Sequence, residues 1–223
     1  MSPMVEAKTL QARKTVALAR WLLGKHLVRR HADGRIEARM IVETEAYDGE
    51  RDLACHARVG RTARTDVMYA AGGVWYVYLC YGVHEMLNLV VGPRDWPAAV
   101  LIRGVEGAVG PGRVTRALAI TRSLNRAPAC DDSAGLWLED RGGPLPRSAV
   151  VASPRVGVDF AGPVWAAKRW RFTLTRMHHK FLGQAHPLFP LVEREKATPS
   201  RLAPTKSARQ GESITPPRVV DSG

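Results

Sequence analysis

The sequence predicts an α+β fold with a mainly antiparallel sheet. Three observations carry this. β-Branched and aromatic runs recur at strand length, among them Ile41-Val42, Val74 to Cys80 and Ala98 to Ile102. Turn signals such as Asp33-Gly34 sit between neighbouring runs, as in hairpins. Helical stretches are few and do not alternate regularly with strands, so repeated βαβ units are not expected.

Thr9 to Leu23 is predicted as a helix, because Val16, Leu18, Leu22 and Leu23, with Trp21, share a face at near-helical spacing. Gly24 is its stop. His26 to Arg30 is a short strand, and Asp33-Gly34 turns it into a second strand, Arg35 to Ala46. Leu53 to Met68 is polar and arginine-rich, with Arg58, Arg61 and Arg64, and reads as a loop or short helical turns. Ala70 to Gly73 is a turn. Val74 to Gly92 holds two strands around a tip at Tyr81-Gly82-Val83-His84. Pro97 to Arg103 is a buried strand, Gly110-Pro111-Gly112 a loop, and Arg113 to Leu124 a helix. Leu136 to Glu139, Arg155 to Val158 and Arg171 to Thr175 complete the strands. Proline, serine and charge then dominate, so residues 178–223 are expected to form a basic, disordered tail behind a domain of residues 1–177.

The net charge is +12 over 223 residues, which favours a polyanionic partner. Only seven Lys and Arg against four Asp and Glu lie beyond residue 177, so most of the excess belongs to the domain. No run of 18 apolar residues predicts a membrane span, and the N-terminus lacks the apolar core of a secretory signal. Cys55, Cys80 and Cys130 are odd in number and follow no framework spacing, which fits a reducing compartment. Cys55-His56 and Cys80 with His84 lack a second ligand pair. Small buried thiols are therefore expected there, with no metal and no other cofactor.

Glu43 and Glu45 are two apart in a strand and so share a face. A solvated strand face is the ordinary reading of such a pair. Their position, where a core-anchored strand emerges, also suits a carboxylate serving as general base for water. Trp75, Val77, Leu79 and Tyr81 alternate with Tyr76, Tyr78 and Cys80, which read first as a core strand. A Tyr-Gly tip is odd for a core, and a large side chain on a projecting turn can wedge between bases. Tyr47, Tyr78 and His56 could stack on a base taken out of a duplex. Asn88, expected roughly across from Tyr78, could read a base edge or bond a loop. Arg103 closes a buried strand, either as an ordinary ion-pair partner or as a cation keeping Glu45 ionised.

These motifs are collinear with a known family. LARWLLGKHLVRR, IVETEAY, RVGRTAR, MYAAGGVWYVYLCYGVHEMLNLVV, AVLIRGVEG, GPGRVTRALAIT, RVGV and RWRFTL together resemble the alkyladenine (3-methyladenine) DNA glycosylases, over roughly three-quarters of the chain. The resemblance implies a single compact α+β domain with a curved, mainly antiparallel sheet, a protruding β-hairpin and surrounding helices, and a monofunctional, monomeric enzyme acting on double-stranded DNA. It would hydrolyse the N-glycosidic bond of alkylated or deaminated purines, such as 3-methyladenine and hypoxanthine, and so begin base excision repair. It would work in a cytoplasm, on the nucleoid, or in a nucleus. Glu45 matches the glutamate that activates water, and Arg103 the arginine that holds that water. Tyr47 and His56 match the base pocket, and Tyr78 the aromatic that sandwiches the flipped base. Asn88 matches the asparagine that disfavours guanine. Tyr81, with Gly82 beside it, matches the residue that fills the gap in the duplex, and Arg61 and Arg64 fall in a DNA-contacting segment. Glu43 reads as a structural neighbour.

The sequence departs from the family at Thr65-Asp66, where Arg-Asn is usual, and at Arg169-Trp170, where Pro-Trp or Pro-Leu is usual. The segment past Leu174 has no counterpart in it. Three other readings stand beside the glycosylase: a non-catalytic binder of damaged or distorted DNA, a metal-dependent nuclease using Glu43, Glu45 and Asp48, and a basic structural protein.

Overall fold

One long strand holds three others. β2 (Ile36–Asp48) pairs with β1 (His26–Arg30) along its first half. Along its second half it lies between β5 (Ala98–Val105) and β9 (Arg171–Leu174). The computed structural model describes residues 4–11, 14–142 and 145–175. The expected tail, and the domain boundary at residue 177, lie outside these residues.

The hairpin of β3 (Trp75–Cys80) and β4 (His84–Val90) adds to β5 through β4. β6 (Ala108–Val109) folds back on β5. β7 (Leu136–Glu139) extends the sheet beyond β1, and β8 (Val150–Ser153) pairs with β9. The order is β3-β4-β5-β2-β1-β7, with every pairing antiparallel. The helices are short: α1 (Ala7–Leu10), α2 (Thr15–Trp21), α3 (Pro111–Ala117) and α4 (Gly162–Ala166). This is the expected α+β fold.

Strand alternation separates two faces. Val42, Ala46, Trp75, Val77, Leu87, Leu89, Val100 and Ile102 point into the main core, with Leu18, Ala19 and Leu22 of the α2 region. Thr44 also points inward, and its hydroxyl donates to the Ala19 carbonyl at 2.7 Å. Trp75 is fully buried, and its indole N–H donates to the Leu136 carbonyl at 3.0 Å. The residues between these face the other way and build the site.

Four expected elements differ. The helix over Thr9 to Leu23 is two helices, because the Leu10 carbonyl leaves the helical ladder to accept the Gly92 N–H at 2.7 Å. Gly72 presses there too: a Cβ on it would lie 2.4 Å from the Leu10 oxygen. The helix over Arg113 to Leu124 starts earlier and ends at Ala117. Pro111 fits its first turn, where no N–H partner is needed, so Gly110-Pro111-Gly112 is not wholly loop. The Ile120 N–H bonds the Thr115 carbonyl and the Ala119 N–H the Arg116 carbonyl, with Ala119 at φ +48°, a Schellman end on a non-glycine residue. Arg155 to Val158 is not a strand; the strand of that region is β8, and residues 155–158 are a loop that serves the site. β2 runs two residues beyond Ala46, to Asp48.

Candidate active site

A pocket of about 250 Å³ opens on the non-core face of the sheet. Its walls include Glu45, Tyr47, His56, Tyr78, Asn88 and Arg103, with Tyr81 at its edge. Five separate stretches of sequence therefore meet in one cavity.

The acid end is set by a bulge. In the β2–β5 ladder Glu43 pairs with Gly104 and Thr44 with Ile102, so Arg103 has no partner on β2. An unpaired bulge residue bends its strand and re-aims a side chain. The Arg103 side chain is largely buried; its Nε lies 3.0 Å from Glu43 Oε1 and its Nη1 3.5 Å from Glu45 Oε1.

Glu45 is fully buried. Its Oε1 accepts the Val156 backbone N–H at 2.8 Å, and its Oε2 accepts the Tyr47 hydroxyl at 2.8 Å. Burial pushes its carboxyl above the ordinary range, while Arg103 and the two donors pull it back. Burial wins, so Arg103 limits the rise without reversing it. Burial and the Glu45 charge also hold the Tyr47 phenol well above its usual value, as a neutral donor.

His56, Tyr76 and Tyr78 form the aromatic wall. The His56 and Tyr78 rings meet edge-on at 4.7 Å between centroids, and Tyr76 and Tyr78 lie 5.2 Å apart. His56 Nδ1 is 3.0 Å from the Tyr76 hydroxyl. Burial, reinforced by Arg64 and Arg58, brings the His56 pKa down to about 4. The ring is therefore neutral in ordinary conditions.

Asn88 lies across from Tyr76; Tyr78 pairs with Met86 instead. Asn88 thus sits two residue pairs from the expected partner, and the tip is three residues, Tyr81 to Val83, between paired Cys80 and His84. The buried Asn88 amide donates to the Tyr76 and Met86 carbonyls at 3.2 and 3.3 Å. Its donors are thus occupied within the wall.

Tyr81 is 95% exposed and has φ +50°, with Gly82 at +70°. That turn lifts Tyr81 off the face it would share with Trp75 in an ideal strand. Arg64 lies over the Tyr78 ring at 5.2 Å. Arg61 lies farther out and is ion-paired to Asp66 at 2.7 Å and Asp95 at 3.2 Å. Asp66, the departure noted above, also holds Arg126 at 2.6 Å.

Several wall residues were not singled out from sequence. Tyr76 had the signal, since it shares the alternation of Tyr78. Met68, Met86 and Leu101 look like any core residue in sequence. The loop of Val156 to Val158, with Phe160, carries no chemical motif, and its role rests on a backbone N–H. It is pinned by a buried pair: Arg155 reaches Asp52 through two contacts, of 2.5 and 2.9 Å, both side chains fully buried.

The nuclease carboxylates do not converge. Glu43 is held by Arg103 and Arg171, Glu45 by Tyr47 and Val156, and Asp48 by Thr15 and Trp96. Among the described residues no three His, Cys, Asp or Glu side chains group as a metal site. Burial raises the Cys55 thiol to about 12, as a small core residue. No helix among the described residues is long and apolar enough to cross a membrane.

The family model for Methylpurine-DNA glycosylase (MPG) matches residues 9–109 and 106–178. A protein of an Anaeromyxobacter species is 49% identical over 178 residues, covering 75% of this chain and 88% of its own length. One from Myxococcus xanthus is 44% identical over 185 residues, covering 79% and 93%. One from the archaeon Methanocella arvoryzae is 47% identical over 180 residues, covering 72% and 87%. All three are provisionally named 3-methyladenine DNA glycosylases.

Proposed function

The chain belongs to the methylpurine-DNA glycosylase family, and from that premise we propose that it excises alkylated purines from duplex DNA with a water activated by Glu45. The observation that carries this reading is Glu45 itself: a fully buried carboxylate at the wall of an aromatic pocket, 3.5 Å from Arg103.

The damaged nucleotide turns out of the stack into the pocket, at a cost of a few kcal/mol that is smaller for a weakened pair. Stacking on Tyr78 and Tyr47 returns about 1–3 kcal/mol per base. Tyr81 enters the gap and opposes return. A 3-alkylated adenine carries positive charge, which suits the electron-rich tyrosine faces. Glu45 takes a proton from water while the water oxygen attacks the anomeric carbon. The N-glycosidic bond breaks, and its electron pair leaves with the base, neutralising the ring. A neutral base such as hypoxanthine needs a proton on the leaving ring. His56 is neutral in this pocket and supplies none at ordinary pH.

The test is single-turnover release of free base from alkylated duplex DNA in chelator, beside duplexes carrying hypoxanthine or ethenoadenine. The parent releases base, and Glu45→Gln binds the same duplex without releasing it. Release by Glu45→Gln at the parental rate removes the mechanism. Lesion binding with no release by the parent leaves the damaged-DNA binder instead.

A further inference from the structure

Glu43 points to the pocket side with Glu45, yet it is 2% exposed and its contacts are with arginines. One oxygen, Oε1, receives Arg103 Nε at 3.0 Å and Arg171 Nε at 2.6 Å. Arg171 stands directly opposite Glu45 in the β2–β9 ladder, so the nearer carboxylate in register is Glu45. Its guanidinium nonetheless goes diagonally to Glu43, a reach that long side chains make across antiparallel strands.

The backbone is shaped for this. The register shifts on both sides of Glu43, and its partner on β5 is Gly104. A Cβ on Gly104 would lie 3.0 Å from the Glu43 Cβ and 3.4 Å from its Oε2. Any larger residue would push Glu43 off its place, and Arg103 is the very next residue. Two carboxylates and two guanidiniums thus balance within one largely buried cluster. Leaving one member unpaired there is costly.

We propose that Glu43, backed by Arg171, is a positioning residue that fixes the Arg103 guanidinium beside Glu45 and the attacking water. The proposal rests on the glycosylase reading above. Glu43 touches neither base nor water. It occupies the Nε edge of Arg103, so that Nη1 is the edge turned to Glu45. Arg171 occupies the same Glu43 oxygen and holds it against the wall. Without Glu43 both arginines would compete for Glu45, the carboxylate that must accept the proton.

Three variants separate the outcomes: Glu43→Gln, Arg171→Gln and Glu45→Gln, each assayed as full chain for melting, lesion-duplex binding and single-turnover release against pH. Glu43→Gln is expected to slow release on the order of 100-fold, as a misplacement of about 1 Å at a catalytic group does, with binding unchanged. Its acid limb should also move to lower pH, since a like charge beside Glu45 is gone and Arg103 is freed toward it. A merely structural role would lower melting and leave the plateau release rate of the folded enzyme unchanged. Arg171→Gln should slow release by a smaller factor in the same direction. A parental rate in Glu43→Gln, with Glu45→Gln inert, overturns the positioning role and leaves the glycosylase reading standing. Release by Glu45→Gln would instead remove that reading and this proposal together. If Glu43→Gln does not fold, Arg171→Gln decides, because its side chain reaches solvent, and a parental rate there overturns the proposal.

Discussion

The Val156 backbone N–H donates to Glu45 Oε1 at 2.8 Å across 111 residues of sequence. It ties a loop with no chemical motif to the carboxylate of the site, and with Tyr47 it softens the effect of burial. Burial still leaves the Glu45 carboxyl above its ordinary range. The proposed base works only when ionised, so release should fall on the acid side at a midpoint above the ordinary Glu value of about 4.3. A rate–pH profile on a cationic lesion checks this; a midpoint at or below that value removes Glu45 as the titrating base. The same shift bears on stability. Its folded pKa lies above the unfolded one, so the stabilisation is present below the unfolded pKa and is lost as pH rises through the folded one. At neutral pH the ionised carboxylate is a liability. Glu45→Gln removes that liability but leaves Arg103 with Glu43 alone, so it should lose base release while still folding and binding the lesion duplex.

His56 titrates in the opposite direction. Burial lowers it to about 4, from the ordinary histidine value of 6.5. The folded chain holds its proton less tightly than the unfolded chain, so stability should fall as pH drops from about 6.5 to about 4. His56→Gln should flatten that part of a melting-temperature profile. An unchanged slope would mean that other groups dominate acid unfolding. Tyr76→Phe, which removes the hydroxyl beside Nδ1, should cost about 0.5–1.5 kcal/mol of stability, readable by urea unfolding.

The Asp52–Arg155 pair predicts a larger effect. Both side chains are fully buried and joined by two contacts, and Arg155 also donates to the Ala46 carbonyl at 2.9 Å. Removing one partner leaves a buried charge alone, which costs about 3–5 kcal/mol. Asp52→Asn should lose that much in urea unfolding. Asp52→Leu with Arg155→Met should lose less than the sum of the single changes. Because Arg155 precedes Val156, the singles should also slow base release. Full stability in Asp52→Asn would show that the pair does not set the fold of this loop.

What the sequence made legible follows from which interactions are local. Strand alternation placed Glu45, Tyr47 and Tyr78 on a common side, and the hairpin tip put Tyr81 in solvent. Arg103 was expected near Glu45, but the bulge that turns it there is a register property of two strands 60 residues apart. Arg155 to Val158 has strand composition, Arg-Val-Gly-Val, yet forms a loop. A non-local ion pair with Asp52 decides its conformation instead. The break near Leu10 had the same cause, a carbonyl claimed by Gly92 from elsewhere in the chain. Glu43 looked incidental because its partners, Arg103 and Arg171, come from other strands.

Tyr81 separates folding from DNA capture. It is almost wholly exposed, so Tyr81→Ala should change stability by no more than about 0.5 kcal/mol. If it fills the gap left by a flipped base, the same change should weaken lesion-duplex binding by about 1–3 kcal/mol, the scale of one lost base–aromatic stack. Equal affinities for parent and variant on a lesion duplex would remove the wedge. Gly82→Ala tests the turn: φ is +70° with open space around it, so strain alone should cost about 1–2 kcal/mol.

Asp66 bears on how tightly the protein holds DNA. It pairs with both Arg61 and Arg126 on the surface, and these contacts hold its carboxyl below the usual range. Arg61, expected to contact DNA, and its neighbour at Asp66, Arg126, are thus partly neutralised within the protein. Asp66→Asn should free them with little change in stability, since exposed ion pairs are screened by solvent and contribute little. Duplex binding at moderate salt should tighten. The slope of log affinity against log salt should steepen by about 1–2, as each added phosphate contact releases a counterion. The comparison must use undamaged and damaged duplexes alike, because phosphate contacts carry no base information and should strengthen both equally. A salt slope identical to the parent's would mean that Arg61 and Arg126 do not reach the backbone, and would leave Arg64, which lies over Tyr78, as the arginine of this segment nearest the lesion.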